Sequence, residues 1–412
     1  MRRGGDLVLV NQFYPPDHAP TGVYLETLAK ALRGQGLTVR VLTGCTGYDG
    51  DRSFPAREER HGAAVRRVWT PRLGRGGGLA RFVGYLCFAW GVWWRLCAGP
   101  RPRAVLALTT PPFLGWIVAL AARWRGIPHL HWVMDAWPDA LIADRPASTA
   151  RRRWVLDRLG HVARRHLGGA RAVIALGEGM AYRLRRYRKR PITVAPLWAT
   201  VTRPEAALIA DMRRRMGWGD DEVVLAYCGN LGRGHRWHDF AEAAARSESG
   251  LRWVVIGGGV RRPELEAWCR EHPEVRIDRL PYVAEGDLPA LLAAVDVHLV
   301  SVERGWEGVV VPSKVQNLLA VGRPALVVAP AASEPARWVR GARAGWVVEP
   351  DDREGLLRAV SDLRNAATRA EAGMRASGLV RDRFLAGRAV DLAARIRAAI
   401  DPQWRFAVEA QT

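Results

Sequence analysis

A lysine stands in an apolar part of the sequence, where an ammonium group would need an anion. The stretch GWEGVVVPSKVQNLLAVGRPALVV (305–328) places Lys314 directly after Pro312 and Ser313 and before an apolar helical pattern. Proline is favoured at the first position of a helix, and the first turn has backbone N–H groups free to bind an anion. We therefore predict a helix over 312–320 whose first turn, with the Ser313 hydroxyl and the Lys314 ammonium, holds a phosphate. The alternative is a surface lysine whose stem lies along apolar neighbours.

Two other stretches end a strand-like run in glycines. In AYCGNLGRGHRW the run ends at Gly229 and Asn230, and Arg233 follows; in RWVVIGGG it ends at Gly257 and Gly258. Glycine lets the backbone approach a ligand closely, and arginine supplies a cation. The spacing of these glycines differs from GxGxxG, which disfavours a nicotinamide cofactor. Taken alone, the first stretch is equally compatible with a flexible turn bearing solvent-exposed arginines.

A third candidate anion site lies near the N-terminus, where Thr21 and Gly22 begin the helical pattern TGVYLETLAKALRGQG. Such a start can bind an anion, although threonine and glycine also serve as simple helix caps. The sequence contains no D-x-D pair, HExxH, P-loop or G-x-S-x-G motif. The cationic candidates therefore predict an enzyme that stabilises a departing diphosphate without a metal ion or a bound cofactor.

The charge balance predicts an acidic partner. The chain of 412 residues contains 62 Lys and Arg against 41 Asp and Glu, a formal net charge of +21. No acidic residue occurs between Arg60 and Met134. A general arginine bias on a solvated face is one alternative, and a nucleic-acid binder is another, but no RRM, KH or helix-turn-helix signature accompanies the charge. We expect a phosphate-bearing or anionic-lipid partner and no nucleic acid.

Cysteine usage and the N-terminus predict a cytoplasmic protein. The five cysteines are odd in number, widely spaced and set among apolar residues, so they predict reduced core residues and neither disulfides nor a metal site. The N-terminal apolar run, LVLV, is too short for a signal peptide.

Strand-like runs alternate with helical patterns along the whole chain, which predicts two α/β, Rossmann-like domains with parallel sheets. We place an N-terminal domain at 1–205, a C-terminal domain at 206–380, and a helical segment at 381–412 that could pack on the first domain. Carboxyl ends of parallel strands are where such folds bind ligands, so a nucleotide-sized ligand in a cleft between the domains is expected.

One apolar stretch, FVGYLCFAWGVWW (82–94), lies between two arginines. Spanning a bilayer takes about 20 apolar residues, so this segment is too short to cross one. Its mixture of aromatic and cationic side chains is typical of a helix at a membrane interface. The residues predicted to contact the membrane or a membrane-borne acceptor are Arg81, Phe82, Trp90, Trp93, Trp94 and Arg95. The helical stretch 113–122 is interpreted as a buried core helix.

The motifs, taken in order along the chain, resemble glycosyltransferase family 4, in particular the bacterial transferases of O-antigen, capsule and colanic-acid assembly. The stretches that carry the resemblance are NQFYPPDHAPTGVYLETLAKAL, TTPP, WVMDAWPD, IALGEGM, PLW, YCGNLGR, VIGGG, LPYVAEGDLPALLAAVDVHLV and EGVVVPSK with LLAVGRPAL. The resemblance implies a GT-B fold, in which two Rossmann-like domains face a central cleft. It also implies a nucleotide-diphosphate sugar held by the C-terminal domain, an acceptor site on the N-terminal domain, and retention of anomeric configuration.

Residues that match the family's motifs inherit their roles from the resemblance. Gly22 matches the glycine loop near the diphosphate, Arg233 the phosphate-binding arginine, and Tyr282 with Val283 the segment near the base. The lysine that usually follows this arginine is absent. His235, Arg236 or His238 could take its place.

The family's pair of glutamates is also missing. Val309 and Asn317 occupy their positions, and Glu307 is displaced by two residues. We interpret this as a subfamily trait. The histidine that is frequent after the family's fourth strand is also absent, and Thr109 and Thr110 stand in its place. Asp135 is the predicted substitute for a polar group facing the reacting sugar; a strand-end cap is its alternative role. Arg233 and Lys314 would then be the main catalytic groups, acting on the departing diphosphate.

The resulting expectation is a retaining, metal-independent glycosyltransferase at the cytoplasmic face of the plasma membrane. It would move a sugar from a UDP-linked donor to a polyprenyl-diphosphate-linked acceptor in cell-surface polysaccharide synthesis. A UDP-sugar 2-epimerase of the same fold and a non-catalytic nucleotide-sugar-binding module are the alternatives.

Overall fold

The computed structural model describes residues 6–47, 53–71, 78–145, 149–247 and 249–401, with side chains described from Phe82 onward in the third segment. Contacts divide the chain into two compact units. Unit 1 consists of Met1–Pro196 and Gly387–Thr412, and unit 2 consists of Leu197–Ala386. Each unit contains one sheet with helices packed on it, so the prediction of two α/β domains with parallel sheets is confirmed.

The sheet of unit 1 contains eight strands in the order β3-β4-β2-β1-β5-β6-β7-β8, all parallel to their neighbours except β3. The strands are β1 (Leu7–Val10), β2 (Val39–Gly44), β3 (Arg57–Arg60), β4 (Ala63–Val68), β5 (Ala104–Ala107), β6 (His129–Val133), β7 (Ala172–Ala175) and β8 (Thr193–Val194). The helices are α1 (Pro20–Gly34), α2 (Gly78–Ala98), α3 (Leu114–Arg125), α4 (Asp139–Asp144), α5 (Ala150–Gly169) and α6 (Glu178–Leu184). Strands β1 and β5 are buried along their full length, which explains their continuous apolar sequences.

The sheet of unit 2 contains six parallel strands in the order β11-β10-β9-β12-β13-β14. They are β9 (Val223–Cys228), β10 (Leu251–Ile256), β11 (Ile277–Leu280), β12 (Val297–Ser301), β13 (Ala325–Val328) and β14 (Gly345–Val348). The helices are α7 (Ala206–Met216), α8 (His238–Ala245), α9 (Arg262–Glu271), α10 (Leu288–Ala294), α11 (Val315–Ala320), α12 (Glu334–Ala342), α13 (Arg353–Asp362) and α14 (Ala366–Arg383). A single 3-10 turn, Glu285–Asp287, precedes α10.

The last described helix, α15 (Arg388–Ile400), belongs to unit 1. It packs on α1, where the Gln35 side chain donates a hydrogen bond to the Val390 carbonyl oxygen at 3.1 Å. The segment after Pro196 belongs to unit 2 because the Ala199 N–H donates to the Phe384 carbonyl oxygen at 2.7 Å. The contacts thus separate the units close to the positions predicted from sequence, 205 and 380, and those boundaries stay predictions about independent domains.

In each sheet the first strand of the unit is an inner strand: β1 lies between β2 and β5, and β9 lies between β10 and β12. The chain builds the sheet outward on one side of this strand and then on the other, so the strand order reverses there. Open parallel sheets bind ligands beyond the carboxyl ends of the strands at such a reversal of strand order. The loops that follow β1 and β9 are therefore the places where each unit is expected to carry its site.

Candidate functional site

Lys314 lies at the end of the loop between β12 and α11. Helix α11 begins at Val315, so the predicted helix over 312–320 was wrong at its start. The reason is local: the Val315 N–H donates to the Pro312 carbonyl oxygen in a turn, and the Lys314 carbonyl oxygen accepts from the Leu318 N–H. With six residues, α11 has a weak dipole. Any anion held here would depend on the Lys314 side chain and not on the helix.

The Lys314 ammonium is buried, although part of its side chain reaches the surface. Among the described residues its Nζ atom has no hydrogen-bond partner. It lies 3.2 Å from the centroid of the Tyr227 ring, at the end of β9. Burial lowers the Lys314 pKa to about 7. Burying an ammonium without a hydrogen-bond partner costs free energy, and an anion bound beside it would offset that cost.

Glycines at two neighbouring strand ends leave room beside this ammonium. Gly229 adopts a φ of 125°, and a Cβ atom there would lie 3.4 Å from Lys314 Cδ. Gly257, with a φ of 119°, passes so close that an added Cβ would lie 2.4 Å from the Gly229 carbonyl oxygen. Larger residues would strain the backbone and fill this space. The ends of β9 and β10, which are neighbours in the sheet, thus lie side by side.

Tyr282 covers the same turn. Its ring atoms lie 2.9 Å from the Cβ position of Gly257 and 3.3 Å from that of Gly258. The side chain is 62% exposed, and Val283 beside it is half-buried. We call Tyr227, Gly229, Gly257, Tyr282 and Lys314 the strand-end site, since all of them lie at or beyond carboxyl ends of strands in unit 2.

The loop that follows β9 carries the other predicted cations. Asn230 and Arg233 are exposed on it, and Ser313, in the loop after β12, is half-buried. Arg236 pairs with Asp239, Glu303 and Asp351, at 2.5, 2.8 and 2.5 Å. An arginine surrounded by three carboxylates has little charge left for a phosphate, so Arg236 does not replace the missing lysine.

The two histidines proposed for the same role do not supply a cation either. His235 bonds through Nδ1 to the Ser301 carbonyl oxygen at 2.8 Å, and burial lowers its pKa to about 3, which keeps the ring neutral. His238 stacks on Trp237 with ring centroids 3.6 Å apart, and burial lowers its pKa as well. The suggested substitutes are therefore structural groups of this loop.

The positions of the missing glutamates are occupied by residues with structural roles. Val309 is fully buried. Asn317 accepts hydrogen bonds from the N–H and the hydroxyl of Thr200, at 2.7 and 3.2 Å. Glu307 is half-buried and forms an isolated backbone bridge with Val310. At the family's two glutamate positions this chain thus has a valine that packs in the core and an asparagine that holds the segment around Thr200.

In unit 1, the Asn11 amide nitrogen fixes the loop after β1, whereas the Asn11 Oδ1, Gln12 Oε1 and Tyr14 hydroxyl atoms are buried without a hydrogen-bond partner among the described residues. The Asn11 side chain donates to the Phe13 carbonyl oxygen at 2.7 Å and to the Thr21 hydroxyl at 3.1 Å. A Cβ on Gly22 would lie 3.1 Å from the Phe13 carbonyl oxygen and from Tyr14 Cα. The close approach of this backbone to α1 is sufficient to explain why position 22 is glycine.

Asp135 follows β6 in unit 1. Its N–H and that of Met134 donate to the Thr109 hydroxyl, each at 3.1 Å. Burial raises the pKa of its carboxyl group to about 6. A carboxyl group that titrates near neutral pH is suited to proton transfer or to hydrogen bonding with a sugar hydroxyl.

Helix α2 presents an aromatic face to solvent. Phe88, Val92 and Leu96 are buried against the sheet, whereas Phe82, Trp90 and Trp94 are exposed, the last two by 65% and 57%. Trp93 is half-buried and stacks on Trp90 at 5.2 Å and on Trp124 at 6.3 Å. Arg95 is exposed; Arg81 lies in α2, but its side chain is outside the described residues.

The interpretation of 113–122 as a buried core helix was only half right. In α3 the residues Leu114 and Val118 are buried, but Trp116, Leu120 and Trp124 are exposed at four-residue spacing. The tryptophan surface is defined as Phe82, Leu86, Trp90 and Trp94 of α2 with Trp116, Leu120 and Trp124 of α3. Among the described residues, no helix is long and apolar enough to cross a bilayer.

Sequence reasoning did not single out Tyr227. The available signal was an aromatic residue directly before the strand-end Cys228 and Gly229, but its contact with Lys314 joins positions far apart in the chain. Within the described part of the chain, no group of three or more His, Cys, Asp or Glu residues lies together in a way that could hold a metal ion.

Comparison with known families gives a match for each half of the chain. Residues 21–198 match the family described as "Glycosyl transferase 4-like domain". Residues 222–365 match the family "Glycosyl transferases group 1". The two matches occur in tandem and coincide with units 1 and 2.

Two curated proteins are similar in sequence. The colanic acid biosynthesis glycosyl transferase WcaI of Escherichia coli (strain K12) is 25% identical over 337 residues, which is 78% of this chain and 82% of that protein. The glycosyltransferase WbjE of Pseudomonas aeruginosa is 36% identical over 145 residues, 34% of this chain and 35% of that protein.

Solved structures share the fold over nearly the full length. Sucrose-phosphate synthase from Thermosynechococcus elongatus has a TM-score of 0.75 at 18% identity, covering 99% of this chain and 100% of that one. WaaG, a glycosyltransferase involved in lipopolysaccharide biosynthesis, has a TM-score of 0.71 at 15% identity, covering 95% and 99%. Since both units match glycosyltransferase families in order and the fold agrees along the chain, the protein belongs to the glycosyltransferases of the GT-B fold, and the resemblance to glycosyltransferase family 4 is confirmed.

Proposed function

We propose that this protein transfers a sugar from a UDP-linked donor to a lipid-linked acceptor, with retention of configuration, in the synthesis of a cell-surface polysaccharide. The observation that carries the proposal is the buried Lys314 ammonium, which has no hydrogen-bond partner among the described residues and lies beside the open turns of Gly229 and Gly257. A nucleoside diphosphate would place an anion beside this ammonium. The similar fold of HepE from Anabaena, TM-score 0.70 at 15% identity over 96% of this chain and 100% of that one, was solved with UDP-glucose, which favours UDP.

In this proposal the diphosphate lies at the strand-end site, with Lys314 and Arg233 as its cations and with no metal ion or bound cofactor. The bond between the anomeric carbon and the diphosphate oxygen breaks, and the acceptor hydroxyl oxygen forms the new bond on the same face. The hydroxyl proton passes to the departing phosphate oxygen. Preformed positive charge stabilises that oxygen as its charge develops, which is the main catalytic contribution. Tyr282 and Val283 are assigned to the base, and Asp135 of unit 1 to a hydroxyl of the reacting sugar.

The remaining donor-site residues have lesser roles in this proposal. Asn230, Gly258 and Ser313 contribute backbone or side-chain hydrogen bonds near the diphosphate. Glu307 is assigned to the sugar. Thr21 and Gly22 are retained as the unit 1 loop of the donor site, although their packing already has a structural explanation.

The acceptor and the location of the enzyme are inferred from the tryptophan surface. Exposed tryptophans that alternate with arginines fit the interface of an anionic membrane, because indole rings favour the headgroup region and arginines pair with phosphates. Arg95 follows Trp94 and the exposed Arg123 precedes Trp124. The proposed acceptor is therefore a glycan on a polyprenyl diphosphate, reached by peripheral binding at the cytoplasmic face of the plasma membrane.

The replacement of both family glutamates keeps one alternative open, a module that binds nucleotide sugars without transferring them. Calorimetric titration with UDP, GDP, ADP and NAD, repeated on Lys314→Ala and Arg233→Ala, tests the site. Lys189→Ala is the matched control, since Lys189 is an exposed lysine of unit 1. Selective binding of UDP that is weakened in both site variants but not in the control supports the proposal. Binding of no nucleotide would overturn it.

Catalysis needs its own test. The purified enzyme is incubated with radiolabelled UDP-sugars and a membrane lipid extract, and transfer to lipid is measured. Release of UDP together with labelled lipid supports transfer. UDP binding without turnover of any sugar would favour the binding module, and conversion of the free UDP-sugar to an epimer would favour an epimerase.

A further inference from the structure

The chain keeps a lysine at the strand-end site although it uses arginine almost everywhere else. Its 62 Lys and Arg residues include three lysines: Lys30, Lys189 and Lys314. Lys30 pairs with Glu26 at 3.4 Å, and Lys189 is exposed. Lys314 is the one whose ammonium is buried. Arginine stays charged in proteins, whereas a buried lysine can lose its proton. Lys314 is therefore the basic residue of this site that can lose its positive charge, which an arginine at the same position would keep.

In the described part of the chain, the titratable groups around the Lys314 ammonium carry no negative charge at neutral pH. Burial raises the Cys228 pKa to about 12 and lowers those of His235 and His298 to about 3, so the thiol and both imidazoles stay neutral. Burial also raises the pKa of the Tyr227 hydroxyl well above its usual value. The face of the Tyr227 ring is thus the group that stabilises the ammonium directly, by a cation–π contact.

Tyr227 is held rigidly in this position. Its side chain is 1% exposed, and its hydroxyl donates to the Asn230 carbonyl oxygen at 3.0 Å. The ring of His235 packs edge-on against it, with centroids 5.9 Å apart. Because hydroxyl and ring are both fixed, the aromatic face is a preformed platform for the lysine.

We propose that Tyr227 is a positioning residue, whose ring holds Lys314 at the strand-end site before the sugar donor arrives, and that binding of the diphosphate completes the protonation of Lys314. This inference rests on the proposed function. In the free protein, burial lowers the Lys314 pKa to about 7, so part of the population has a neutral amine. A diphosphate next to the amine favours the charged form, and the proton is taken up from solvent.

The first test observes the lysine directly. Incorporation of lysine labelled with ¹³C at Cε gives three signals, which Lys30→Arg and Lys189→Arg assign by elimination. We expect the Lys314 signal of the free protein to titrate near pH 7 in the wild type and in Tyr227→Phe, which keeps the ring. In Tyr227→Leu it should titrate about one pH unit lower, because the cation–π contact is lost. Phe240→Leu is the matched control, since it removes a ring from the same core cluster.

The second test measures UDP affinity against pH. Above pH 7 the phosphates are already fully ionised, so we expect wild-type affinity to fall by up to about tenfold per pH unit as the lysine loses its proton. Tyr227→Leu should bind about tenfold more weakly at pH 8, and Tyr227→Phe and Phe240→Leu as the wild type does. If Tyr227→Leu lowered UDP affinity equally at all pH values, the role of Tyr227 would be merely structural and the inference would be overturned.

The outcomes separate the two proposals. If the Lys314 signal titrates as in an exposed lysine, or equally in the wild type and Tyr227→Leu, the positioning role of Tyr227 is wrong, whatever UDP does. If that signal behaves as expected but no nucleoside diphosphate binds, the proposed function is wrong while the Tyr227–Lys314 pair stands. A wild-type Lys314 signal that titrates as in an exposed lysine would overturn the positioning role even if Tyr227→Leu did not fold.

Discussion

In unit 2 the first strand, β9, ends beneath an ammonium that no described protein group hydrogen-bonds. In unit 1 the first strand, β1, ends in Asn11, whose side chain bonds the loop that follows it and the start of α1. Both strands occupy the same place in their sheets. Strand ends at equivalent places in the two sheets thus differ: the end of β9 carries a buried ammonium without a hydrogen bond, and the end of β1 carries a neutral amide whose nitrogen fixes the backbone of the following loop.

The surfaces of the two units differ as well. Among the described residues, every exposed tryptophan belongs to unit 1; these are Trp69, Trp90, Trp94, Trp116, Trp124 and Trp154. Exposed apolar patches in soluble proteins mark interaction sites. Changes in unit 2 should therefore alter ligand binding, whereas changes in unit 1 should alter stability, acceptor chemistry or membrane binding.

The largest effect is expected from Lys314→Ala. Removal of the buried ammonium should lower the rate of sugar transfer by about 10²–10³-fold, as loss of one preformed charge-stabilising group does in other enzymes. Steady-state transfer assays measure this, with Lys189→Ala as the control. If Lys314→Ala kept an activity within about twofold of the wild type, the end of β9 would have no greater part in catalysis than the end of β1.

Acid should destabilise unit 1 through its buried histidines. Burial lowers the His166 pKa to about 4 and the His131 pKa well below its usual value. Because the unfolded chain binds protons more readily, the free energy of unfolding should fall as pH drops from about 6.5 towards 4. For His166 the loss at pH 5 is about 2 kcal/mol.

Urea unfolding between pH 7 and pH 4.5 measures this loss. His166→Gln should reduce the pH dependence, while His161→Gln, at an exposed position of the same helix, should not. A free energy of unfolding that is constant over this range would contradict the role of the buried imidazoles.

Asp135→Asn should have a smaller effect on rate and a distinct effect on the pH profile. The carboxyl pKa is raised to about 6 by burial, so the carboxylate is lost below about pH 6. Activity of the wild type should fall there, and the variant should be slower at pH 8 by about tenfold and lack this acid limb. Asp157→Asn, at an exposed position, is the control. A variant with the wild-type rate and profile would leave Asp135 as a strand-end cap.

The smallest effects are expected at the tryptophan surface. Trp90→Ala or Trp94→Ala should weaken binding to phosphatidylglycerol vesicles by about fivefold each, because part of the indole area no longer leaves water. Added salt should weaken binding further by screening the arginines. Met374→Ala, at a position of unit 2 that is 67% exposed, is the control in sedimentation assays. Vesicle binding that is insensitive to salt would contradict the electrostatic contribution of the arginines to membrane binding.

Much of the architecture could be predicted because it depends on local patterns. Buried parallel strands appear as apolar runs, and β9 and β10 overlap the strand-like runs that were predicted to end at Gly229 and Gly257. The glycines after β9 and β10 could also be found, since positive φ angles and close backbone contacts restrict the residue type. Failures occurred where partners lie far apart in sequence: Arg236 pairs with Asp351, and Trp124 stacks on Trp93.

By itself, the sequence determined the two α/β domains, their glycosyltransferase motifs and the presence of a lysine where an anion would be needed. These features depend on strand burial and turn residues, and both can be recognised from residues that are close together in the sequence. The tertiary structure alone decided that Lys314 rests on Tyr227 without a hydrogen-bond partner, that Arg236 is held by carboxylates, and that tryptophans of α2 and α3 form one surface. Burial and charge pairing depend on which distant side chains meet, and a linear pattern carries no such distances.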